Sequence, residues 1–389
     1  MRYRILTLNN ISARGLERLP RDRYEVAPDL ERPDAILVRS ADMHGTAIAA
    51  TVLAVGRAGA GVNNIPVVEF SKRGIPVFNT PGANANAVKE LVLAGLLLAA
   101  RNVCPAWEFA RSLKGDDHAI DAAVESGKKK FVGFEMPGRT LGVVGLGAIG
   151  VEVANSALAL GMKVLGYDPQ ITVQRAWQLS ASVEQALSLD DLFARADAVT
   201  VHVPLNDHTQ KLVNEARLKL MKKSGILLNF ARAAIVDDAA VIAALDAGRL
   251  HAYVCDFPNT LLKDHAKVVT LPHLGASTGE AEENCAVMVA DQVRDFLENG
   301  NIRNSVNYPE AVLPRAPNTT RLAIANSNVP NMVGQISTCL ATARINIAEL
   351  LNKSRGEYAY TLVDAEGTIG DDLLTKIRSI DGILTARIV

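Results

Sequence analysis

Residues 140–168 read TLGVVGLGAIGVEVANSALALGMKVLGYD. The apolar run 141–144 suits a parallel strand covered on both faces, where no polar alternation is needed. Gly145, Leu146, Gly147, Ala148, Ile149 and Gly150 follow as a G-x-G-x-x-G hexapeptide. In that pattern the first glycine permits a tight turn and the second lets backbone amides approach a pyrophosphate. The third lets a helix pack closely on the strand. A helix starting here offers unpaired N–H groups and a positive dipole end to an anion. A second strand then closes on Asp168, about 20 residues past the glycines, where a carboxylate meets ribose hydroxyls. That carboxylate repels a 2′-phosphate, which favours NAD over NADP. Glycines alone also mark ordinary turns. Strand, turn, helix, strand and acid in this order predict a dinucleotide-binding unit.

Around this unit, 389 residues are enough for two or three domains, each with its own core. The formal net charge of −1 provides no electrostatic footprint for nucleic acid or an anionic membrane. The longest apolar run, 91–100, is about half of what a bilayer requires and predicts a buried helix. The opening MRYRILTLNN runs straight into a strand, without the apolar segment of a signal peptide. Cys104, Cys255, Cys285 and Cys339 are far apart, with no C-x-x-C spacing. That pattern argues for core filling in a reducing cytoplasm, against a disulfide framework, and for no metal site.

Strand patterns at 4–8, 35–39, 52–56 and 76–79 alternate with helical ones at 45–50 and 67–72, the logic of a parallel α/β sheet. A long apolar helix is predicted over 86–103, then a polar surface connection over 111–138. Past Asp168 the alternation resumes, with helices at 191–195, 214–221 and 237–247. Strands are expected at 198–203, 225–230, 251–256 and 267–271. Ser277 and Glu280 have capping-box spacing for a helix ending near Gly300, expected to pack back onto the first domain. Pro309, Pro314 and Pro317 mark a linker. The remainder reads βαββαβ, a split-βαβ, ferredoxin-like order. The expected fold class is therefore α/β, with two Rossmann-like or flavodoxin-like parallel-sheet domains plus a C-terminal ferredoxin-like module. The expected division is a substrate domain at 1–98 continued by about 277–305, a dinucleotide domain at 99–276, a linker at 306–320 and the module at 321–389.

A dinucleotide domain implies hydride transfer, which needs a cationic anchor for substrate and a proton acceptor for its hydroxyl. Both belong at the C-terminal ends of strands, in the crevice beside the sheet. Arg232 follows the strand GILLNF, and a guanidinium there can grip a carboxylate with two hydrogen bonds. His273 lies in LPHLGAST just past a strand, and an imidazole titrating near neutrality suits acid/base work on an alcohol. Position alone equally allows a surface arginine and a loop histidine. His202 ends a strand in VHVP, where it could line an adenosine pocket.

Five segments carry a family resemblance: VGRAGAGVNN (55–64), FNTPGANANAVKELV (78–92), GLGAIG (145–150), NFARAAIVDDAAV (229–241) and LPHLGAST (271–278). The chain resembles the D-isomer-specific 2-hydroxyacid dehydrogenases, and its last 70 or so residues resemble an ACT regulatory domain. The resemblance implies NAD-dependent oxidation of D-3-phosphoglycerate to 3-phosphohydroxypyruvate, the first step of L-serine biosynthesis. It makes Arg232 and His273 catalytic and matches Arg39, Ser40, Arg57, Gly59 and Asn84 to substrate binding. Gly145, Gly147, Ala148, Ile149, Gly150, Asp168, Val203, Phe230, Ala231, Asp256, Gly275 and Ala276 match NAD contacts. Asn328 and Asn346 match the amides that hold a serine effector in ACT domains. A homodimer or homotetramer acting on a small molecule is expected, with no nucleic-acid or membrane partner. One departure concerns the glutamate that orients the family's histidine. Here Asp256, Phe257, Pro258, Asn259, Thr260 and Leu261 replace the D-V-F-x-x-E-P pattern. Either an aspartate, Asp256 or Asp264, substitutes, or His273 works unassisted. The competing activities are oxidation of another D-2-hydroxy acid (glycerate, glyoxylate or erythronate-phosphate type) and NAD sensing without turnover.

Overall fold

A computed structural model describes residues 2–389. The chain forms two compact units, one of 1–83 with 279–389 and one of 84–278. In the first, strands β1 (Tyr3–Leu8), β2 (Tyr24–Ala27), β3 (Ala35–Val38), β4 (Ala54–Arg57) and β5 (Val77–Phe78) form a parallel sheet ordered β2-β1-β3-β4-β5. This is the flavodoxin-like strand order. Helix Gly279–Asn299 packs on it, burying Ala281, Cys285, Val289, Val293 and Phe296 along one stripe. Contact is close: a methyl on Gly56 would come within 2.6 Å of Val289. The helix expected at 45–50 does not form. Gly45 sits at φ +74° and the segment makes only turns before Thr51 Oγ1 donates to the Pro33 carbonyl at 2.7 Å.

The second unit carries a seven-stranded parallel sheet of β6 (Thr140–Val144), β7 (Lys163–Tyr167), β8 (Glu184–Gln185), β9 (Ala198–Val201), β10 (Ile226–Asn229), β11 (Ala252–Cys255) and β12 (Val268–Thr270). Its order, β8-β7-β6-β9-β10-β11-β12, reverses direction between β6 and β9, which makes their C-terminal ends the switch point where ligands bind. Helix Ala85–Ala100 lies against it, with Gly95 letting Phe230, Val254 and Leu228 approach. Asn102 at φ +51° interrupts that helix short of its expected end. The polar stretch after it is largely helical, in Val103–Ser112 and Asp117–Gly127, the second capped by the Asp116 carboxylate accepting from the Ala119 N–H. Its polarity reflects solvent exposure and not a lack of structure.

The C-terminal module belongs to the first unit. Strands β13 (Thr319–Ser327), β14 (Ile347–Arg355), β15 (Tyr358–Glu366) and β16 (Ile383–Ile388) pair antiparallel in the order β14-β15-β13-β16. Helices Met332–Thr342 and Asp371–Arg378 cover one face through Leu322, Ile324, Ile336, Leu340, Val363 and Ile377. On the other face, Ala323, Ala325, Tyr360 and Leu362 join the core of the N-terminal sheet with Phe296, Leu297 and Tyr308. The proline-marked segment between them is packed and not free. Asn307 Oδ1 accepts from the Val77 N–H at 2.8 Å, its Nδ2 donates to the Ile75 carbonyl at 2.9 Å, and the fully buried Tyr308 donates to the Ser71 carbonyl at 2.8 Å. Asn307 thus takes up hydrogen-bonding groups around the edge strand β5, and prolines end elements here without loosening the chain.

Candidate active site

The glycine turn shows what each glycine is for. Gly145 has φ +90°, and a Cβ there would stand 2.7 Å from the His202 carbonyl oxygen; one on Gly150 would fall 1.9 Å from the Gly145 carbonyl. Around a Cβ on Gly147, by contrast, nothing lies within 4 Å. An open cradle therefore sits at the start of helix Ala148–Ala159, whose first N–H groups have no partner within the helix. Asp168 Oδ2 accepts from the Leu146 N–H at 2.9 Å and Oδ1 from the Gln170 N–H at 2.9 Å, which holds the carboxylate beside the turn. Ala148, Ile149 and Val203 are half-buried around it. His202 turns inward, its Nε2 paired with Thr200 Oγ1 at 2.9 Å and its buried Nδ1 unpartnered. Burial drives its pKa down to about 3, so the ring is neutral. Open space at the helix terminus, tight glycines and a fixed carboxylate together fit NAD.

Two loops further along the sheet present Arg232 and His273. Arg232 leaves the end of β10 half-buried, with Nη1 donating to the Ala231 carbonyl at 2.6 Å. Its loop is fixed from below by Asn229, fully buried at the last position of β10. Asn229 Nδ2 donates to the Arg232 carbonyl at 3.0 Å, its Oδ1 accepts from the Ala231 N–H at 3.1 Å, and its carbonyl accepts from the Asp256 N–H at 3.2 Å. No motif singles out Asn229 in the sequence. The available signal was an amide closing an otherwise apolar strand, because a buried amide must be satisfied. Phe230 is buried beside it.

His273 is exposed and left-handed at φ +58°, a conformation that His and Asn accept more readily than most residues. Its ring meets Phe257 edge-on, centroids 5.4 Å apart. The expectation that an aspartate orients this ring needs correction. Asp256, only 1 % exposed, gives Oδ1 to the Leu274 N–H and Oδ2 to the Gly275 N–H, both at 2.7 Å. Asp264 pairs with the Lys263 ammonium. Among the described residues no carboxylate bonds to the His273 imidazole, and Leu261, at the glutamate's place, is half-exposed. Asp256 fixes the backbone that carries His273, while the ring rests on Phe257. Ala276 is exposed next to the buried Gly275.

Asp256→Asn replaces one acceptor by an amide N–H facing a backbone N–H. It is expected to lower kcat/KM by about 10- to 100-fold through misplacement of the loop, leaving the acidic limb of the pH–rate profile where it was. Asp264→Asn should change neither. A limb displaced by Asp256→Asn would restore Asp256 as the ring's partner.

The first unit gathers the anion-binding candidates. Arg39 directly follows β3 and Arg57 ends the adjacent β4, with Arg57 Nε donating to the Arg39 carbonyl at 3.1 Å. The Arg57 guanidinium lies over Gly59, where a Cβ would be 1.9 Å from Nη1. Arg39 pairs with Glu282 on the long helix. Ser40 is exposed, its N–H directed at Asn9 Oδ1 at 3.2 Å. Asn84, in the second unit, occupies the N-cap of helix Ala85–Ala100. In the C-terminal module Asn328 lines a hollow of about 160 Å³ with Asn326, Asn331 and Asn352. Asn346 is not part of it, and pairs with Glu366 at 3.0 Å.

Parallel doubly wound sheet, glycine cradle, acidic strand end and a following arginine and histidine define a dinucleotide-dependent dehydrogenase. A family profile described as "D-isomer specific 2-hydroxyacid dehydrogenase, NAD binding domain" matches residues 94–275. The D-3-phosphoglycerate dehydrogenase of Haemophilus influenzae is 34% identical over 352 residues, 87% of this chain and 81% of that one. Its counterpart in Archaeoglobus fulgidus is 36% identical over 300 residues, 74% of this chain and 54% of that one, so the chain spans about half of that relative. The NAD+-bound 3-phosphoglycerate dehydrogenase of Entamoeba histolytica shares the fold, with TM-score 0.61 and 24% identity over 78% of this chain and 99% of that one. The chain belongs to the D-isomer-specific 2-hydroxyacid dehydrogenase family and is an NAD-dependent dehydrogenase. No described helix is long and apolar enough to cross a membrane.

Proposed function

We propose that the protein oxidises D-3-phosphoglycerate to 3-phosphohydroxypyruvate with NAD, the first step of serine biosynthesis. The observation that carries this reading is the pair of guanidinium groups at the ends of β3 and β4, two cations for a phosphorylated substrate, in a chain that also has the Arg232 and His273 loops. Bound NAD supplies the hydride acceptor. Arg232 holds the substrate carboxylate and polarises the C2 oxygen. His273 takes the C2 hydroxyl proton on an imidazole nitrogen as the C2–H bond breaks, and returns it in the reverse direction. Asn229 and Asp256 hold the two loops that bring these groups to the substrate.

The finer parts of the reading are a cytoplasmic homodimer or homotetramer and a serine effector. Leu97, Val103 and Trp107 form an exposed apolar patch suited to self-association, with Trp107 57 % exposed. The asparagine-lined hollow offers amide donors and acceptors for an amino acid's carboxylate and amine.

The test is NADH-dependent reduction of phosphohydroxypyruvate, hydroxypyruvate and glyoxylate, with and without L-serine. Phosphohydroxypyruvate should be preferred, and Arg57→Ala should raise its KM by about 10-fold or more, the cost of losing a charged hydrogen bond of about 1.5–3 kcal/mol. An unchanged KM removes Arg57 from the site. Turnover confined to unphosphorylated keto acids replaces the substrate assignment, and none at all leaves an NAD-binding protein.

A further inference from the structure

We propose that Glu282 sets the preference of this enzyme between phosphorylated and unphosphorylated substrates by holding Arg39 as an internal counter-ion. The inference rests on the reading that Arg39 and Arg57 receive the substrate's anionic group. Arg39 directly follows β3 and Arg57 ends β4, and each carries one positive charge. Glu282 lies in the first turn of the helix Gly279–Asn299 and its Oε1 contacts Arg39 Nη2. Arg39, Arg57 and Glu282 all act electrostatically on the buried Cys285 thiol of that helix, so the three charges share one neighbourhood. Pairing with Glu282 offsets the charge of Arg39, which without it would be fully available to an anion. A phosphate ester carries about −1.5 to −2 at neutral pH. A phosphate that binds Arg39 must displace Glu282 from it or bind beside the Glu282 carboxylate.

Both side chains are within reach of solvent, Arg39 38 % and Glu282 42 % exposed. The pair therefore contributes little to stability, the usual result for exposed ion pairs, and it can open for a competing anion. Glu282 thus lowers phosphate affinity while leaving Arg39 available, a discrimination that comes from repulsion and not from a further attractive contact.

Glu282→Gln removes the charge and keeps the shape. The ratio of kcat/KM for phosphohydroxypyruvate to that for glyoxylate should rise about 5- to 20-fold at low ionic strength, the size of a partly screened charge–charge term. The gain should shrink in 1 M salt, where the Debye length is about 3 Å, and should vanish in the Arg39→Ala background. A ratio that falls or stays level overturns the proposal; a fall would make Glu282 a residue that positions Arg39. Inorganic phosphate binding to the full chain, measured by calorimetry, separates this from the substrate assignment. Glu282→Gln should tighten phosphate about 5- to 20-fold by the same electrostatic term, whichever keto acid is turned over. Phosphate binding indifferent to the substitution overturns the counter-ion role even if phosphoglycerate is the substrate.

Discussion

His273→Asn is expected to lower kcat for hydroxy-acid oxidation by about 10²- to 10⁴-fold, the usual contribution of a positioned general base, with NAD affinity preserved. Asparagine is the informative replacement because residue 273 sits at φ +58°, which asparagine tolerates, so the loop keeps its course. Leu274 and Gly275 still donate to Asp256, and the glycine cradle is made of other strands. Only the proton acceptor is removed. Arg232→Lys should behave differently. It keeps one charge but loses the planar fork, so KM for the keto acid should rise together with the loss in kcat. Steady-state kinetics in both directions, with NAD binding followed by protein fluorescence, reads out both variants. Retention of kcat within about 10-fold of wild type in His273→Asn would be too small for a general base and would move proton transfer to another group.

How far these roles could be read in the chain depended on whether a residue's neighbours were close in sequence. The turn at 145–150 was legible because strand, glycines, helix and acid fall within 30 residues and each has a local reason to be there. Gly147 then proves to face open space, as a pyrophosphate grip requires. Arg232 and His273 were legible as strand-end residues. Their supports were not. Asn229 looks like the end of an apolar strand until β10 and β11 are paired and its amide meets the Arg232 loop. Asp256 looked like a partner for the ring of His273, since motif and spacing cannot show that its two oxygens are occupied by the N–H groups of Leu274 and Gly275. The prolines of 304–320 likewise suggested a spacer, because the contacts of Asn307 and Tyr308 with residues 71–77 span more than 200 positions. Glu282 is the same case, 243 residues from Arg39.

Asp364→Asn is expected to cost about 3–5 kcal/mol of stability near neutral pH, because it leaves a buried guanidinium without its counter-charge. Arg321 and Asp364 stand on the adjacent strands β13 and β15, both fully buried. Arg321 Nε reaches Oδ1 at 2.6 Å and Nη2 reaches Oδ2 at 2.7 Å, a two-pronged pair. The remaining donors are spent as well: Nη1 on the carbonyls of Asn299 at 3.1 Å and Leu313 at 2.8 Å, Nη2 on that of Pro314 at 3.0 Å. One side chain thereby ties the C-terminal sheet to the end of the long helix and to the connecting segment. Burial opposes ionisation of Asp364, yet the Arg321 hydrogen bonds and the Ala316 N–H outweigh it and hold the carboxyl below its ordinary range. A depressed carboxyl contributes its stability above the unfolded-state pKa of about 3.9 and loses it as pH falls through the folded-state value. The penalty of Asp364→Asn should therefore be full at pH 7 and begin to shrink below about pH 4, where the unfolded chain's carboxyl takes up a proton while the folded one stays ionised, until pH falls through the folded-state value. Urea unfolding followed by circular dichroism at pH 7 and pH 3.5 measures both quantities. The double substitution Arg321→Met with Asp364→Leu should recover much of the loss, since apolar replacements of a buried pair are often neutral or better. It should not recover the three carbonyl contacts. If the double variant is as unstable as Asp364→Asn, those carbonyls and not the ion pair are what the arginine is there to satisfy.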